Sequence, residues 1–269
     1  LDELMKPCFV IAEIGVNHNC DIEIARKLIV AACECGADAV KFQCAIPELV
    51  VTADAPMARY QQDNIGRNNN IKLRQNSKSQ LAMIKEVMFP LETFATLKNF
   101  CTEKKIIFFA TAFDLTSLQM LENLGQPLHK IPSGEITNLP YLRQIGGYKK
   151  PLIMSTGMAT IEEIGIAIDV LEHAGMKRDD LTVLHCNTAY PTRMRDVNLR
   201  AMQSIKKKFS VKVGYSDHTI GSEVAVAATA LGATVIEKHI TLDKNNVGPD
   251  HAASMEPVEF KEMVKAIRK

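Results

Sequence analysis

The sequence has no excess of charge of either sign and no long apolar run. Its 269 residues include 32 lysines and arginines and 31 aspartates and glutamates, so no overall field attracts nucleic acid or an anionic membrane. No stretch approaches the roughly 20 consecutive apolar residues of a transmembrane helix, and no signal-peptide pattern opens the chain. These absences predict a cytoplasmic protein that binds neither nucleic acid nor membrane and whose anion sites are local.

Two further signatures are missing. The seven cysteines, at positions 8, 20, 33, 35, 44, 101 and 186, are an odd number and form no Cys-x-x-Cys pair. This pattern disfavours a disulfide framework or a structural zinc site and predicts reduced thiols. The glycine-rich fingerprint of a nucleotide-binding open sheet is also missing, which makes a doubly wound sheet the weaker of two possible α/β architectures.

Eight short runs rich in apolar and β-branched residues alternate with helical patterns. Helix boundaries are marked by a capping box at Thr160 and Glu163 and by glycines such as Gly36 and Gly232. Eight alternating units of this kind predict a single (β/α)8 TIM barrel over residues 1–269. The predicted strands are 8–14, 39–43, 106–111, 128–132, 151–155, 181–186, 211–215 and 234–240.

The connection at residues 44–77 is far longer than the about 2–6 residues usual between such elements. It is polar, includes the run Arg67-Asn68-Asn69-Asn70 and has little periodicity. In a barrel it follows the second strand, on the rim where chemistry takes place. We interpret it as a lid or substrate loop, with disordered surface as the alternative.

Two histidines follow late apolar runs that a barrel would place side by side. His218 comes after the seventh predicted strand, and His239 lies near the end of the eighth. If these strands are parallel neighbours, both imidazoles project from one rim, where a divalent cation could bind between them. A histidine near a strand end is more often a packing residue, but two at equivalent positions favour a metal site.

Polar side chains cluster at the C-terminal ends of the predicted strands, the active face of such a barrel. Lys41 and Lys130, with nearby hydroxyls, indicate a phosphate or carboxylate cradle, because ammonium and hydroxyl donors can converge on anionic oxygens. Alternatively, each lysine pairs with a glutamate inside the barrel, or one forms a Schiff base with a carbonyl substrate. Glu13 and Glu135 are candidate acids or bases. The hydroxyls are those of Thr111, Ser133, Ser155 and Ser216.

Motifs at the strand ends extend along nearly the whole chain. They are Ile11-Ala12-Glu13-Ile14-Gly15 with Asn17-His18, Val40-Lys41-Phe42-Gln43, Lys130-Ile131-Pro132-Ser133-Gly134-Glu135, Ser155-Thr156-Gly157-Met158, His185-Cys186-Asn187-Thr188 with Tyr190-Pro191-Thr192, Gly214-Tyr215-Ser216-Asp217-His218, and Glu237-Lys238-His239 with Gly248-Pro249-Asp250-His251. In this order they resemble the N-acetylneuraminate (sialic acid) synthase family. The resemblance implies a TIM-barrel transferase that joins phosphoenolpyruvate to the open-chain aldehyde of an N-acetylmannosamine-type sugar, releasing phosphate and a nine-carbon 2-keto acid.

The resemblance also implies which residues act. Mn²⁺ or Mg²⁺ would be held by His218 and His239 and would polarise the aldehyde oxygen for attack by the enolpyruvyl carbon. Water would then add at the enolpyruvyl C2, and phosphate would leave with C–O cleavage. The implied catalytic residues are Glu13, Glu135, His218 and His239. Phosphoenolpyruvate would contact Lys41, Thr111, Lys130, Ser133, Ser155, Asn187 and Ser216, and the sugar would contact Glu13, Gln43, Glu135, Tyr190 and Asp250.

Two features depart from the family pattern. Members usually continue into a small antifreeze-like C-terminal domain that supplies an arginine to the sugar site of the partner subunit, whereas residues 1–269 are expected to form the barrel domain without it. A homodimer is implied for the full-length form. Arg193 and Arg195 stand where relatives commonly carry proline and acidic residues, so sugar specificity or loop conformation is expected to differ.

Three functional hypotheses follow. The first is a sialic acid biosynthesis enzyme that makes N-acetylneuraminate from phosphoenolpyruvate and N-acetylmannosamine. The second is a legionaminate-type synthase acting on a related 2,4-diacetamido-trideoxyhexose; the segments at 133–135 and 248–250 resemble these two branches more than the pseudaminate branch. The third is a catalytically silent barrel that serves as an assembly or ligand-binding module.

Overall fold

The computed structural model describes residues 8–66 and 79–269, and within them eight parallel strands close into a barrel. Each strand pairs with the next, and the last pairs with the first, so the barrel has no free sheet edge. The (β/α)8 prediction is confirmed, with every strand end within two residues of its predicted position. The strands are β1 (Phe9–Gly15), β2 (Ala39–Cys44), β3 (Ile107–Ala112), β4 (His129–Ile131), β5 (Leu152–Ser155), β6 (Leu181–Cys186), β7 (Lys212–Asp217) and β8 (Val235–His239).

Helices pack around the outside of the barrel. The capping box is confirmed: Thr160 Oγ1 accepts a hydrogen bond from the Glu163 backbone N–H, and the Glu163 carboxylate accepts one from that of Thr160. Gly36 ends the first helix at φ 83°, in the left-handed region that glycine adopts without strain. The helices are α1 (Ile22–Cys35), α2 (Pro47–Val50), α3 (Arg59–Gly66), α4 (Gln80–Val87), α5 (Thr93–Glu103), α6 (Leu115–Asn123), α7 (Leu139–Gly147), α8 (Ile161–His173), α9 (Arg200–Phe209), α10 (Glu223–Ala230) and α11 (Pro257–Ile267).

The long connection after β2 is more regular than its sequence indicates. The expectation of an irregular stretch is wrong for α2 and α3, which are helical although the local polarity gives little periodicity. Tertiary contacts account for part of this order, because Tyr60 in α3 stacks on Tyr190 at a ring distance of 5.2 Å. The Arg67-Asn68-Asn69-Asn70 run lies outside the described residues, and movement as a lid stays a prediction.

Alternation along the strands divides their side chains between two cores. Residues that face outward pack under the helices in one large apolar cluster. Those that face inward form a smaller apolar layer that fills the barrel interior: Ile11, Ala39, Phe109, Ile153, Leu184 and Val235. Across the described ranges, no helix has the length and apolarity that crossing a membrane requires.

The tight interior gives a test of this packing at Gly214 in β7. A Cβ there would lie 2.3 Å from the Val235 carbonyl oxygen and 2.6 Å from Leu184 Cδ2, and the backbone oxygen cannot move aside cheaply. We expect Gly214→Ala to lower the free energy of unfolding by about 1–3 kcal/mol, measured by urea denaturation.

Gly147, the last residue of α7, is the matched control. A Cβ at this position meets no atom within 4 Å, and alanine is the better helix former. Gly147→Ala should therefore leave the unfolding midpoint unchanged or raise it. Equal midpoints for the two variants would contradict the close approach at Gly214.

Candidate active site

The site is the next layer of inward-facing side chains, directly above the apolar layer. Two residues after Ile11 comes Glu13, two after Ala39 comes Lys41, and the other strands follow the same rule. Strand register then brings these side chains together, because Glu13 pairs with both Lys41 and His239. The remaining members of the polar layer are Thr111, Lys130, Ser155, Cys186, Ser216 and Glu237.

Four charged side chains form the centre of this layer. Lys41 Nζ lies 2.7 Å from Glu13 Oε2 and 3.7 Å from Glu237 Oε1, and it donates to Thr111 Oγ1 at 3.0 Å. Lys130 Nζ donates to both oxygens of Glu237, at 3.2 and 3.1 Å. None of the four charged side chains is more than 6% exposed. The alternative in which the lysines pair with glutamates is thus what the structure contains.

The pKa values follow from burial and from these ion pairs. Burial alone would raise the pKa of Glu237, but Lys130 and Lys41 outweigh it and lower that pKa to about 2. Burial disfavours a charged Lys41, yet Glu13 and Glu237 raise its pKa above the ordinary value. A protonated Lys41 suits an anion site better than a Schiff base, which needs a neutral amine, whereas burial lowers the pKa of Lys130 below its ordinary value. Burial and the repulsion of Glu237 raise the pKa of Glu13, although Lys41 opposes the shift.

The two histidines lie beside this charge cluster. The ring centroids of His218 and His239 are 5.8 Å apart, and Tyr190 packs against both rings. The backbone carbonyl of Asn187 accepts a 2.6 Å hydrogen bond from His218 Nδ1, which leaves Nε2 facing Ser216 Oγ at 3.3 Å. Ser216 in turn donates to Glu237 Oε1 at 3.1 Å, so its hydroxyl lies between His218 and the lysine cluster.

The imidazole pair fits a divalent cation. Burial lowers the pKa of His218 to about 4 and that of His239 well below its ordinary value, so both rings are neutral at pH 7, as metal ligation requires. His239 Nδ1 is buried and has no hydrogen-bond partner within the described residues. Over residues 8–66 and 79–269, no group of three or more His, Cys, Asp or Glu side chains is arranged to hold a metal ion. A two-histidine site would leave coordination positions for substrate or water oxygens.

A cavity of about 340 Å³ opens next to the histidine pair. Its lining includes the predicted sugar contacts Gln43, Tyr190 and Asp250, together with His239 and the polar side chains of Tyr60, Gln61 and Gln80. Burial, assisted by repulsion from Glu13, raises the pKa of Asp250 to about 7. The structure therefore places three of the predicted sugar contacts around one space, beside the predicted metal ligands.

Three other predicted phosphoenolpyruvate contacts are Ser133, Ser155 and Asn187. Ser133 Oγ accepts a 2.8 Å hydrogen bond from the Gly157 backbone N–H and lies 3.4 Å from Cys186 Sγ, at the edge of the polar layer. Ser155 is buried at the end of β5. Asn187 Nδ2 donates to the Asp196 carbonyl, while its Oδ1 is buried without a partner in the described residues.

Glu135 and the two arginines contact other groups. The Glu135 carboxylate accepts a 2.6 Å hydrogen bond from Asn138 Nδ2, at the start of α7, so its catalytic and sugar-binding roles stay predictions. Arg193 and Arg195 are exposed near Asp196, at 3.0 and 4.0 Å, and neither lines the described cavity.

Sequence reasoning missed several residues of the site. Glu237, which the sequence motifs place only beside Lys238 and His239, contacts both Lys41 and Lys130. Asn17 Nδ2 donates to the carbonyl of Ile240 and to Ser254 Oγ, which donates to the Asp250 carbonyl. Asn17 thereby ties β1 to the segments that follow His239 and precede the last helix. Its place between an apolar strand and a histidine was the available signal.

A buried ion pair behind the rim holds the two histidine-bearing strands together. Lys238 Nζ lies 2.9 Å from Asp217 Oδ2, with both side chains fully buried. The same ammonium donates to the carbonyls of Thr219 and Gly221, and Asp217 Oδ1 accepts from the backbone and hydroxyl of Thr219. Because Asp217 and Lys238 alternate with inward-facing neighbours, this pair fixes the strands from outside the barrel.

A closed parallel barrel whose C-terminal rim carries buried lysines, carboxylates and paired histidines defines a TIM-barrel enzyme. The family model that matches this chain, over residues 28–269, is that of the NeuB family. The chain belongs to the NeuB family, and it is a phosphoenolpyruvate-dependent synthase that forms a carbon–carbon bond.

Similar proteins agree with this assignment. The chain is 48% identical to the N,N'-diacetyllegionaminic acid synthase of Campylobacter jejuni, over 98% of this chain and 76% of the relative. It is 44% identical to the corresponding synthase of Legionella pneumophila, over 97% and 71% of the two chains. The crystal structure of an N-acetylneuraminic acid synthetase from Leptospira borgpetersenii matches with a TM-score of 0.81 at 32% identity, over 97% of this chain and 83% of that one.

Removal of one partner tests the buried pair behind the rim. Lys238→Met leaves the Asp217 carboxylate buried without its cation, so we expect a loss of about 3–5 kcal/mol in the free energy of unfolding. Lys265 pairs with Glu262 at 2.7 Å, but both side chains are more than half exposed. Lys265→Met should therefore cost less than about 1 kcal/mol by the same denaturation measurement. Similar small losses in both variants would show that the Asp217–Lys238 pair does not hold the strands.

Proposed function

We propose that the chain condenses phosphoenolpyruvate with the open-chain aldehyde of an N-acyl amino hexose, giving a 2-keto acid sugar and phosphate. N-acetylmannosamine and a 2,4-diacetamido-trideoxyhexose are the candidate sugars. The observation that carries the proposal is the bridge through Ser216, which contacts both His218 and the glutamate that holds Lys41 and Lys130. The proposed anion site and the proposed cation site would thus share one buried rim.

The lysine cluster supports phosphoenolpyruvate as the anionic substrate. Lys41 and Lys130 are held within reach of one carboxylate, Glu237, so their ammonium groups already converge. The phosphate and carboxylate of phosphoenolpyruvate would take over part of that role, with hydroxyl donors from Thr111, Ser133 and Ser216. The backbone N–H of Gly157 donates a hydrogen bond to Ser133 Oγ and so orients this hydroxyl.

The pair of neutral imidazoles supports the aldehyde side of the reaction. A bound Mn²⁺ or Mg²⁺ at His218 and His239 would supply Lewis-acid polarisation of the aldehyde oxygen. The carbonyl of Asn187 orients the His218 ring for that role. Tyr190, packed against both rings, excludes water from one side of the pair.

The proposed reaction forms one carbon–carbon bond and breaks the C–O bond between C2 and phosphate. C3 of phosphoenolpyruvate forms a bond to the aldehyde carbon, whose oxygen gains a proton and becomes a hydroxyl. A water oxygen adds at C2 and gives up its protons. The bond between C2 and the phosphate oxygen then breaks, and inorganic phosphate leaves. Glu13, 2.7 Å from Lys41 and paired in register with His239, is the carboxyl group that would lie between the two substrates and exchange protons with them. A cytoplasmic location and a homodimer stay predictions.

The decisive assay measures phosphate release by the full-length protein with Mn²⁺, phosphoenolpyruvate and each candidate sugar. Release should require all three components. Absence of release with every sugar would contradict the proposed synthase activity and favour the catalytically silent barrel.

Loss of one ammonium should weaken phosphoenolpyruvate binding more than sugar binding. A charged hydrogen bond is worth about 1.5–3 kcal/mol, and 1.4 kcal/mol is tenfold in affinity. We therefore expect Lys41→Ala to raise the KM for phosphoenolpyruvate at least tenfold, with a smaller change in the KM for the sugar. Lys150 also pairs with a glutamate, at 2.8 Å, but precedes β5 at the opposite end of the barrel. If Lys150→Ala changes the phosphoenolpyruvate KM as much as Lys41→Ala, the cradle is assigned wrongly.

Metal binding can be measured without turnover. A ligand at 100 times its dissociation constant stabilises the folded state by about 2.7 kcal/mol, so Mn²⁺ should raise the Tm of the wild-type protein. His218→Asn should abolish most of that rise, because one of two protein ligands is lost. His173→Asn, which changes an exposed histidine on α8, should leave it intact. An undiminished Mn²⁺ shift in a folded His218→Asn variant would exclude this residue as a ligand.

A further inference from the structure

Asp250 lies in the connection between β8 and α11, residues 240–256, here called the Asp250 loop, and lines the cavity beside the histidines. No residue within 8–66 and 79–269 donates a hydrogen bond to its carboxylate. Its backbone carbonyl, by contrast, accepts a 2.7 Å hydrogen bond from Ser254 Oγ. The place of this carboxylate in the cavity therefore depends on how the backbone of the Asp250 loop is held.

One side chain, that of Asn17 in the connection between β1 and α1, holds both ends of the Asp250 loop. Its Nδ2 donates to the Ile240 carbonyl and to Ser254 Oγ, both at 2.9 Å. The two protons of one amide thus fix the residue that follows β8 and, through the Ser254 hydroxyl, the backbone of Asp250. Asn17 is 1% exposed and does not line the described cavity, so it acts on Asp250 from behind.

The connection that carries Asn17 is itself held in place. The ring of His18 stacks on Phe89 at a centroid distance of 3.9 Å, and its Nδ1 accepts a 3.0 Å hydrogen bond from the Cys20 backbone N–H. Asn19 Nδ2 donates to the Val247 carbonyl at 2.9 Å. The β1–α1 connection therefore contacts the Asp250 loop in its middle as well as at its two ends.

The contacts of Asn17 require an amide. Aspartate has the same size and shape, but it has no N–H groups. An aspartate at this position would place an oxygen against the Ile240 carbonyl oxygen and would leave Ser254 Oγ without its donor. The exchange of one atom type therefore separates the hydrogen bonds of Asn17 from its packing.

We propose that Asn17 is a positioning residue for the sugar side of the reaction, acting through Ser254 and the backbone of Asp250. This inference rests on the proposed synthase function, in which Asp250 contacts the sugar. Loss of the amide moves the Asp250 carboxylate, whereas Lys41 and Lys130 keep their places because they lie on β2 and β4 and pair with Glu237. The sugar side of the reaction is therefore affected more than the phosphoenolpyruvate side.

The test measures kcat and both KM values for the full-length protein and its Asn17→Asp variant, with Mn²⁺ and the sugar that the wild-type protein uses best. A misplacement of 1 Å can cost about 100-fold, so we expect kcat/KM for the sugar to fall by about 10- to 100-fold. The KM for phosphoenolpyruvate should change much less.

Gln126→Glu is the matched control, because it also exchanges a buried amide for a carboxylate. The Gln126 amide bonds to the backbone of Ala110 and precedes β4, at the end of the barrel opposite the site. This variant should lower the unfolding midpoint but leave the ratio of the two KM values unchanged. If both variants changed that ratio equally, the effect of Asn17→Asp would be one of stability, and the positioning role would be wrong.

A double-variant cycle with Asp250→Asn tests whether Asn17 acts through Asp250. If it does, adding Asn17→Asp to Asp250→Asn should lower kcat/KM for the sugar little further. Penalties that multiply would show that the two residues act independently, which would overturn the relay. Ser254→Ala breaks the same relay by a smaller change and should shift the sugar kinetics in the same direction, should Asn17→Asp fold poorly.

The outcomes separate the positioning role from the activity. Unchanged sugar kinetics in folded Asn17→Asp and Ser254→Ala variants would overturn the positioning role while the synthase function stands. Absence of phosphate release by the wild-type protein with every sugar would overturn the synthase function, and the positioning role with it.

Discussion

Two buried lysines and two buried glutamates, held together at the C-terminal end of the barrel, are the interaction on which the site depends. Any one of these charges alone would be too costly to bury, whereas together they cancel. The apolar layer beneath them, which includes Ile11 and Phe109, excludes water from below and keeps the ion pairs strong. The same arrangement brings two ammonium groups together, so the need to balance charge in the barrel and the proposed capacity to bind phosphoenolpyruvate have one origin.

The histidines are fixed from two sides. Inside the barrel, Ser216 joins His218 to the lysine cluster through Glu237. Outside it, the Asp217–Lys238 pair holds β7 against β8. Because side chains alternate between the two faces of a strand, Ser216 can make its contacts inside the barrel while the adjacent Asp217 makes its ion pair outside. The cavity above is lined by part of this polar rim and by residues of the β2–β3 connection such as Tyr60, Met83 and Val87.

Sequence patterns predicted the barrel closely because its physical causes are local. Each strand is a short apolar run, and helix boundaries carry caps such as that of Thr160, so the elements could be placed within a few residues. Polar residues at the ends of the predicted strands indicated the rim, and in the structure they lie two positions beyond the inner apolar layer. Where local signals were weak, as in α2 and α3, prediction failed, because those helices depend on contacts with distant residues such as Tyr190.

The sequence by itself determined the eight-unit alternation, the polar strand ends and the resemblance that named both histidines and both lysines. Only the tertiary structure decided which charges meet: that Glu237 holds both lysines, that Asn17 reaches across to Ile240 and Ser254, and that Glu135 bonds to Asn138 instead of joining the cluster. The physical reason is that periodicity fixes the face on which a side chain lies, whereas its partner is fixed by strand register and barrel closure, which involve residues far apart in the chain.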